Sequence, residues 1–223
     1  MRRKLAVVTG ACTGIGLEVA RLCARQGFEL IVVADEALIH DTARELGQNG
    51  LSCTPVQCDL ATAGGIASLL AVIASGERPV DYLFADGVRV IHTNIDGTVR
   101  LVFAVAAGMR SRGRGRILIT GSVASLMPDA FRAVYNVSKT FLDSFAMALG
   151  NELKDTGVTV TSLIPSATES DAPEELAAAV ARLGFEAMTE GRLDGLAEVA
   201  NRLHVPGCKS RARPQGVPSS GTP

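Results

Sequence analysis

Lys4-Leu5-Ala6-Val7-Val8-Thr9-Gly10-Ala11-Cys12-Thr13-Gly14-Ile15-Gly16 is the stretch that decides the fold of this chain. Lys4 to Val8 is short, apolar and partly β-branched, which predicts a buried strand. The helix that follows is predicted over Leu17 to Gln26, with Leu17, Ala20, Leu22 and Ala24 as its packed positions. Strand, glycine turn and helix in that order form the context of a dinucleotide-binding fingerprint. Gly10 allows the tight exit from the strand, Gly14 lets backbone approach a pyrophosphate, and Gly16 lets the helix pack closely on the sheet. The free amides and positive end of the helix then face the phosphates. A tight turn with no ligand is the plainer alternative.

The next strand, Glu29 to Ala34, runs into Asp35-Glu36. An acidic residue about twenty positions beyond the glycines can accept hydrogen bonds from ribose hydroxyls and repels a 2′-phosphate, so Asp35 favours NAD over NADP. A helix-capping Asp35 looks the same in sequence. A third strand, Ser52 to Gln57, ends in Cys58-Asp59-Leu60, again placing a carboxylate at the edge where open parallel sheets bind ligands. Strands are also expected near Val80–Phe84, Arg116–Thr120 and Val158–Ile164. Helices are expected near Ile39–Leu46, Ile66–Ala74, Gly97–Met109, Val134–Lys154 and Pro173–Thr189. Such alternation predicts a single doubly wound, Rossmann-like α/β domain, its parallel sheet covered by helices on both faces.

Tyr135-Asn136-Val137-Ser138-Lys139 carries the chemistry. Residues four apart share a helix face, so the phenol and the ammonium point into one space. A free tyrosine titrates near pH 10, and a neighbouring cation favours the phenolate. Ser122 follows the Arg116–Thr120 strand at its carboxyl end and can hydrogen-bond a substrate oxygen. Taken singly, Ser122 is a strand-end turn serine and Asn94 a loop or capping residue.

These residues together resemble the short-chain dehydrogenase/reductase family. Thr9 to Gly16 is similar to its Thr-Gly-x-x-x-Gly-x-Gly motif, and Asn94, Ser122, Tyr135 and Lys139 match its catalytic tetrad in order. The resemblance spans Leu5 to about Pro165, and more loosely Ala172 to Gly191. It implies that Thr9, Gly10, Thr13, Gly14, Ile15, Gly16, Asp35, Asp59, Leu60, Tyr135 and Lys139 contact the cofactor, with Asp59 against the adenine ring. It implies hydride exchange between NAD(P) and a small alcohol or carbonyl substrate, with Tyr135 as general acid/base. Lys139 would also hold the nicotinamide ribose, and Asn94 a water linking that lysine to solvent. The helices after Asp96 and Val134, with Leu101, Val102, Phe103, Leu142, Phe145 and Met147, correspond to a common dimer interface, so a homodimer or homotetramer is expected. The same residues could instead only pack on the sheet.

The chain departs from the family pattern in places. Ala85-Asp86-Gly87 stands where Asn-Ala-Gly is usual, and Ser166 follows Pro165 in place of glycine. The segments around 88–93 and 166–172 are short, which makes this an atypically short member with two reduced pocket walls. A catalytically impaired dinucleotide-binding or oligomerising scaffold is the alternative to an enzyme, and an incomplete gene product is a third reading. The domain is expected over 1–205, with 206–223 a disordered tail rich in Pro, Gly, Ser and Arg.

Composition fits one domain: 223 residues, 47% hydrophobic, net charge −1. That charge gives no reason to expect nucleic acid or an anionic membrane as partner. Arg110, Arg112, Arg114 and Arg116 are expected in a solvated turn, with no aromatic residue among them to stack a base. The apolar run after Met1-Arg2-Arg3-Lys4 is broken by Gly10, too soon for a signal peptide. Five cysteines without a Cys-x-x-Cys pair, and the scattered His40, His92 and His204, suggest free thiols, a cytoplasmic setting and no metal site.

Overall fold

The computed structural model describes residues 2–76, 78–85, 92–122, 133–165 and 174–192. Among these, six strands alternate with six helices: β1 (Leu5–Thr9), α1 (Gly14–Arg25), β2 (Glu29–Ala34), α2 (Ile39–Leu46), β3 (Cys53–Gln57), α3 (Ala63–Ser75), β4 (Tyr82–Ala85), α4 (Thr98–Ser111), β5 (Gly115–Thr120), α5 (Ala133–Leu153), β6 (Val158–Leu163) and α6 (Glu174–Thr189). The strands form one parallel sheet in the order β3-β2-β1-β4-β5-β6. The order reverses between β1 and β4, and such a switch point opens a crevice at the carboxyl ends of the strands.

Successive residues of a strand face opposite sides. Ala6 and Val8 of β1 therefore join Val19, Ala20 and Cys23 of α1 and Val180, Phe185 and Met188 of α6 on one side of the sheet. Leu5 and Val7 join Leu101, Val105 and Met109 of α4 and Leu142, Ala146 and Leu149 of α5 on the other. Burial on both faces explains why β1 reads as a continuous apolar run.

The expected elements all form, with ends displaced by a few residues. α1 starts at Gly14 rather than Leu17 because glycines, poor in a helix interior, are tolerated in a first turn whose amides lack intrahelical partners. Its buried stripe also differs from expectation. Gly16, Glu18, Val19, Ala20 and Cys23 are buried, whereas Leu22 and Ala24 pack at the margin of the core and Leu17 is only partly covered. Glu18 is buried with a partner, since Arg21 Nη1 lies 2.6 Å from its Oε1.

Of the four clustered arginines, Arg110 and Arg114 are exposed as expected, and the other two are partly covered. Arg116 lies within β5, and Arg112 is half-buried, its guanidinium donating to the Val80 carbonyl. Burial lowers the Arg112 pKa; Asp81 opposes that shift, while Arg114 and Arg2 add to it. Ser111, Gly113 and Arg114 of the turn between α4 and β5 are exposed, as expected of a solvated turn, and Arg112 alone ties it to the residues before β4. The tail 206–223, the stretch 193–205 and the segments 86–91 and 166–173 lie outside the described residues. No helix among the described residues is long and apolar enough to cross a membrane.

Candidate active site

The glycine loop leaves β1 at the switch point. Gly10 has φ 67°, a left-handed conformation that glycine adopts without steric cost. Ala11 N–H then donates to Val33 O at 3.2 Å, fastening the loop to the end of β2. Thr13, the N-cap of α1, is extended at φ −148° and its side chain makes no capping hydrogen bond. No acidic residue stands in the first turn of α1, so its positive end is left for an anion. Gly16 packs so closely that an added Cβ would overlap the Gly10 carbonyl oxygen and lie 3.0 Å from Thr9 O. Helix start, loop and strand end are thereby held as one rigid cradle. Ile15 packs at the edge of the core beneath it.

Cys12 points inward from this loop and is buried. Burial raises its thiol pKa first, and the charge of Glu36 next; a hydrogen bond with Thr42 opposes them, and Asp35 adds a smaller push upward. A thiol held protonated in this way is a packing group rather than a nucleophile. Cys53 is pushed up to about 11 by burial. The described cysteines Cys12, Cys23, Cys53 and Cys58 are all free thiols.

Asp35 and Glu36 are exposed at the exit of β2. Leu38 stands at the N-cap position of α2, and the turn before it is closed by the Ile39 N–H donating to Glu36 O at 3.2 Å and the His40 N–H to Ala37 O at 3.1 Å. At the end of β3, Asp59 Oδ1 accepts the Ala61 N–H at 2.8 Å and its carbonyl accepts Thr62 Oγ1 at 2.8 Å, closing a turn into α3. Leu60 packs at the margin of the core. The charge of Asp35 raises the thiol pKa of both Cys12 and Cys58, so the tips of β1, β2 and β3 share one acidic corner. Three strand ends thus present a glycine cradle, an open helix terminus and carboxylates, a donor set that fits a dinucleotide.

Across the switch point, β5 ends at Thr120, and Gly121 and Ser122 continue it. Ser122 is buried. Lys139 on α5 is only 3% exposed, an arrangement that a charged group tolerates when partnered. Its Nζ donates to Thr120 O at 3.0 Å and lies 5.8 Å from the Tyr135 ring centroid. The helix thus brings Tyr135 and Lys139 together beside the strand end that carries Ser122. Asn94 falls in a π-helical turn, His92–Gly97, that leads into α4 and packs against α5. Such turns are frequent at functional sites. The Asn94 side chain lies outside the described residues, as does the Ala85-Asp86-Gly87 departure beyond Ala85.

Asp143 belongs to none of the motifs that the sequence displays. Ser162 Oγ on β6 donates to its Oδ1 at 2.6 Å, and a Cβ on Gly121 would overlap the same oxygen. The i, i+4 spacing that singles out Tyr135 and Lys139 extends one step further to Asp143, and that was the available signal.

With this geometry in place, the likeness to known proteins is direct. Residues 4–181 match the short chain dehydrogenase family model, and the chain belongs to that family. A protein named as a candidate ketoacyl reductase in Streptomyces coelicolor is 33% identical over 186 residues, covering 75% of this chain and 71% of that protein. The 3-oxoacyl-[acyl-carrier-protein] reductase of Escherichia coli is 31% identical over 218 residues, covering 90% of this chain and 88% of that one. Among solved structures, a metagenomic short-chain oxidoreductase in complex with NADP is 25% identical with TM-score 0.75, covering 86% of this chain and 94% of that chain. The chain is therefore an oxidoreductase-family protein on a doubly wound scaffold.

Proposed function

We propose that this chain transfers hydride between a nicotinamide cofactor and an alcohol/carbonyl pair, with Tyr135 as the general acid/base. The observation that carries this reading is Lys139. Its ammonium is buried, tied to Thr120 O at 3.0 Å, and held over the Tyr135 ring beside Ser122. A positive charge fixed there favours the phenolate. Tyr135 then removes a hydroxyl proton in oxidation or returns one in reduction. Ser122 orients the substrate oxygen and stabilises charge building on it. When bound, the nicotinamide supplies or accepts the hydride, and the protein supplies position and field. Thr9 to Gly16 would hold the pyrophosphate, Asp35 the adenosine ribose, and Asp59 and Leu60 the adenine. Asn94 would keep the water that connects Lys139 to solvent.

Asp35 and Glu36 together favour NAD. The test is calorimetric titration with NADH and NADPH of the parent chain and of Asp35→Ala. The parent is expected to bind NADH the more tightly. Asp35→Ala is expected to narrow the preference about tenfold, because one charge-assisted hydrogen bond contributes roughly 1.5–3 kcal/mol and 1.4 kcal/mol is a factor of ten. An unchanged ratio would remove Asp35 from the site. Binding of neither cofactor by the folded chain would leave the impaired scaffold as the better reading. A turnover screen should include 3-oxoacyl substrates, since two relatives are named as reductases of ketoacyl or 3-oxoacyl groups.

The alternative role as an oligomerising scaffold and the enzyme reading share one surface. Phe103 is 52% exposed, Val137 66% and Met147 56%, with Phe141 beside them. Phe103 meets Phe145 edge-on at 5.8 Å, and Phe145 stacks on Phe141 at 6.0 Å, so α4 and α5 share an apolar face. We propose that a second copy covers it and that the chain is a homo-oligomer, acting in the cytoplasm without nucleic acid or membrane. Phe103→Glu is expected to yield monomers at concentrations where the parent is dimeric or larger, as read by light scattering. A monomeric parent would defeat this assignment.

A further inference from the structure

We infer that Asp143 is a positioning residue for the Tyr135–Lys139 pair, bracing the strand end that carries Ser122 and setting a negative charge one helical turn from Lys139. This rests on the assignment of Tyr135 as acid/base and goes beyond it. Tyr135, Lys139 and Asp143 follow one another at intervals of four, so phenol, ammonium and carboxylate lie along one face of α5. Helical side chains lean toward the amino terminus of their helix, which carries the short Asp143 side chain toward the strand tips.

Two side chains of opposite charge land there on consecutive residues. Lys139 Nζ bonds to Thr120 O, and the Asp143 carboxylate packs on Gly121, where an added Cβ would overlap Oδ1 and stand 3.1 Å from Oδ2. The next residue is Ser122. From the other side, Ser162 Oγ holds Asp143 Oδ1 at 2.6 Å, and Gly121 N–H donates to Leu163 O at 2.6 Å. The segment that presents Ser122 is thus clamped between α5 and β6, and Gly121 is the residue type that leaves room for the carboxylate.

Among the described residues, few other charges face this part of α5. β6 contributes none, and β5 contributes Arg116 near its far, amino end. The π-helical turn contains His92 and Asp96, the latter paired with Arg100 at 2.7 Å. α4, which meets α5 through Phe103, adds Arg100 and Arg110. Among the described residues, Asp143 is therefore the carboxylate placed to oppose Lys139. Its charge disfavours a second negative charge on Tyr135, so removing it makes the phenolate form at lower pH.

The chain has no tryptophan and two tyrosines, so tyrosinate can be followed by its ultraviolet absorbance in the intact protein. Subtracting the titration of a Tyr135→Phe variant isolates Tyr135 from Tyr82. Asp143→Asn, which can still accept the Ser162 hydrogen bond, is expected to move the Tyr135 transition down by about half a pH unit or more. Asp143→Ser, smaller and neutral, is expected to do the same and serves if the amide strains the Gly121 contact. Asp143→Glu keeps the charge and is expected to keep the parent midpoint. The inference is overturned if the neutral variants fold and leave the midpoint in place, or if Asp143→Glu moves it as far as Asp143→Asn. A parent Tyr135 transition at the ordinary tyrosine pH would instead count against the acid/base assignment. The Asp143 shift is read independently of where that transition lies.

Discussion

Tyr135→Phe is expected to lower kcat by about a thousandfold, within the range of roughly 10²–10⁴ attributed to positioned general acids and bases. The variant keeps the ring and loses one oxygen. The ring lies 5.8 Å from Lys139 Nζ, and Lys139 is anchored independently on Thr120 O, so the lysine stays in place. The glycine cradle lies across the switch point and is untouched. NADH affinity is therefore expected to change by less than about threefold, under 0.7 kcal/mol at 1.4 kcal/mol per decade. Tyr135 is only partly buried, so melting temperature should hardly move. The decisive comparison is kcat of parent and variant on whichever alcohol or ketone the parent turns over, with calorimetry on the same samples. A loss confined to turnover supports the proton-transfer role. Full activity in the variant would place the acid/base elsewhere. Parallel loss of binding and turnover would make Tyr135 a cofactor contact instead.

The separation of these two effects reflects how the fold was legible. Period and punctuation settle the sheet: β2 and α2 have the ends read from the sequence, because Glu29–Ala34 and Ile39–Leu46 are bounded by glycines and charges. The glycine loop was readable because each glycine answers a local demand, a positive φ at Gly10 and a close approach at Gly16. Tyr135 and Lys139 were readable because a helix converts a spacing of four into proximity. What sequence spacing does not reveal is contact between elements. The pinning of Arg112 depends on the Val80 carbonyl, and the seat of Asp143 on Ser162 and Gly121. Those pairings arise from sheet order, with β4 and β6 on either side of β5, which no local pattern encodes.

Gly16→Ala is expected to be the most damaging single change in the cofactor cradle. The added Cβ would overlap the Gly10 carbonyl oxygen and approach Thr9 O at 3.0 Å, and both neighbours are backbone. A side chain can rotate away from a clash; a carbonyl joining β1 to its loop moves only with the loop. Overpacking of this kind costs about 1–3 kcal/mol. For a chain of this size each 1 kcal/mol lowers the melting temperature by roughly 2–4 °C. The displaced loop also misdirects the amides at the start of α1, so NADH affinity should fall by about a hundredfold or more, equivalent to roughly 2.8 kcal/mol. Gly64→Ala provides the opposing control. Gly64 lies in the first turn of α3, and an added Cβ there meets nothing within 4 Å. Alanine in place of an unstrained glycine stabilises by roughly 0.4–1 kcal/mol, chiefly by restricting the unfolded chain, and NADH binding should be unchanged. Thermal unfolding should thus shift in opposite directions for the two variants, with cofactor affinity lost in one alone. Equal affinity in both would mean that the loop between β1 and α1 can open without consequence, and the pyrophosphate could not then be seated there.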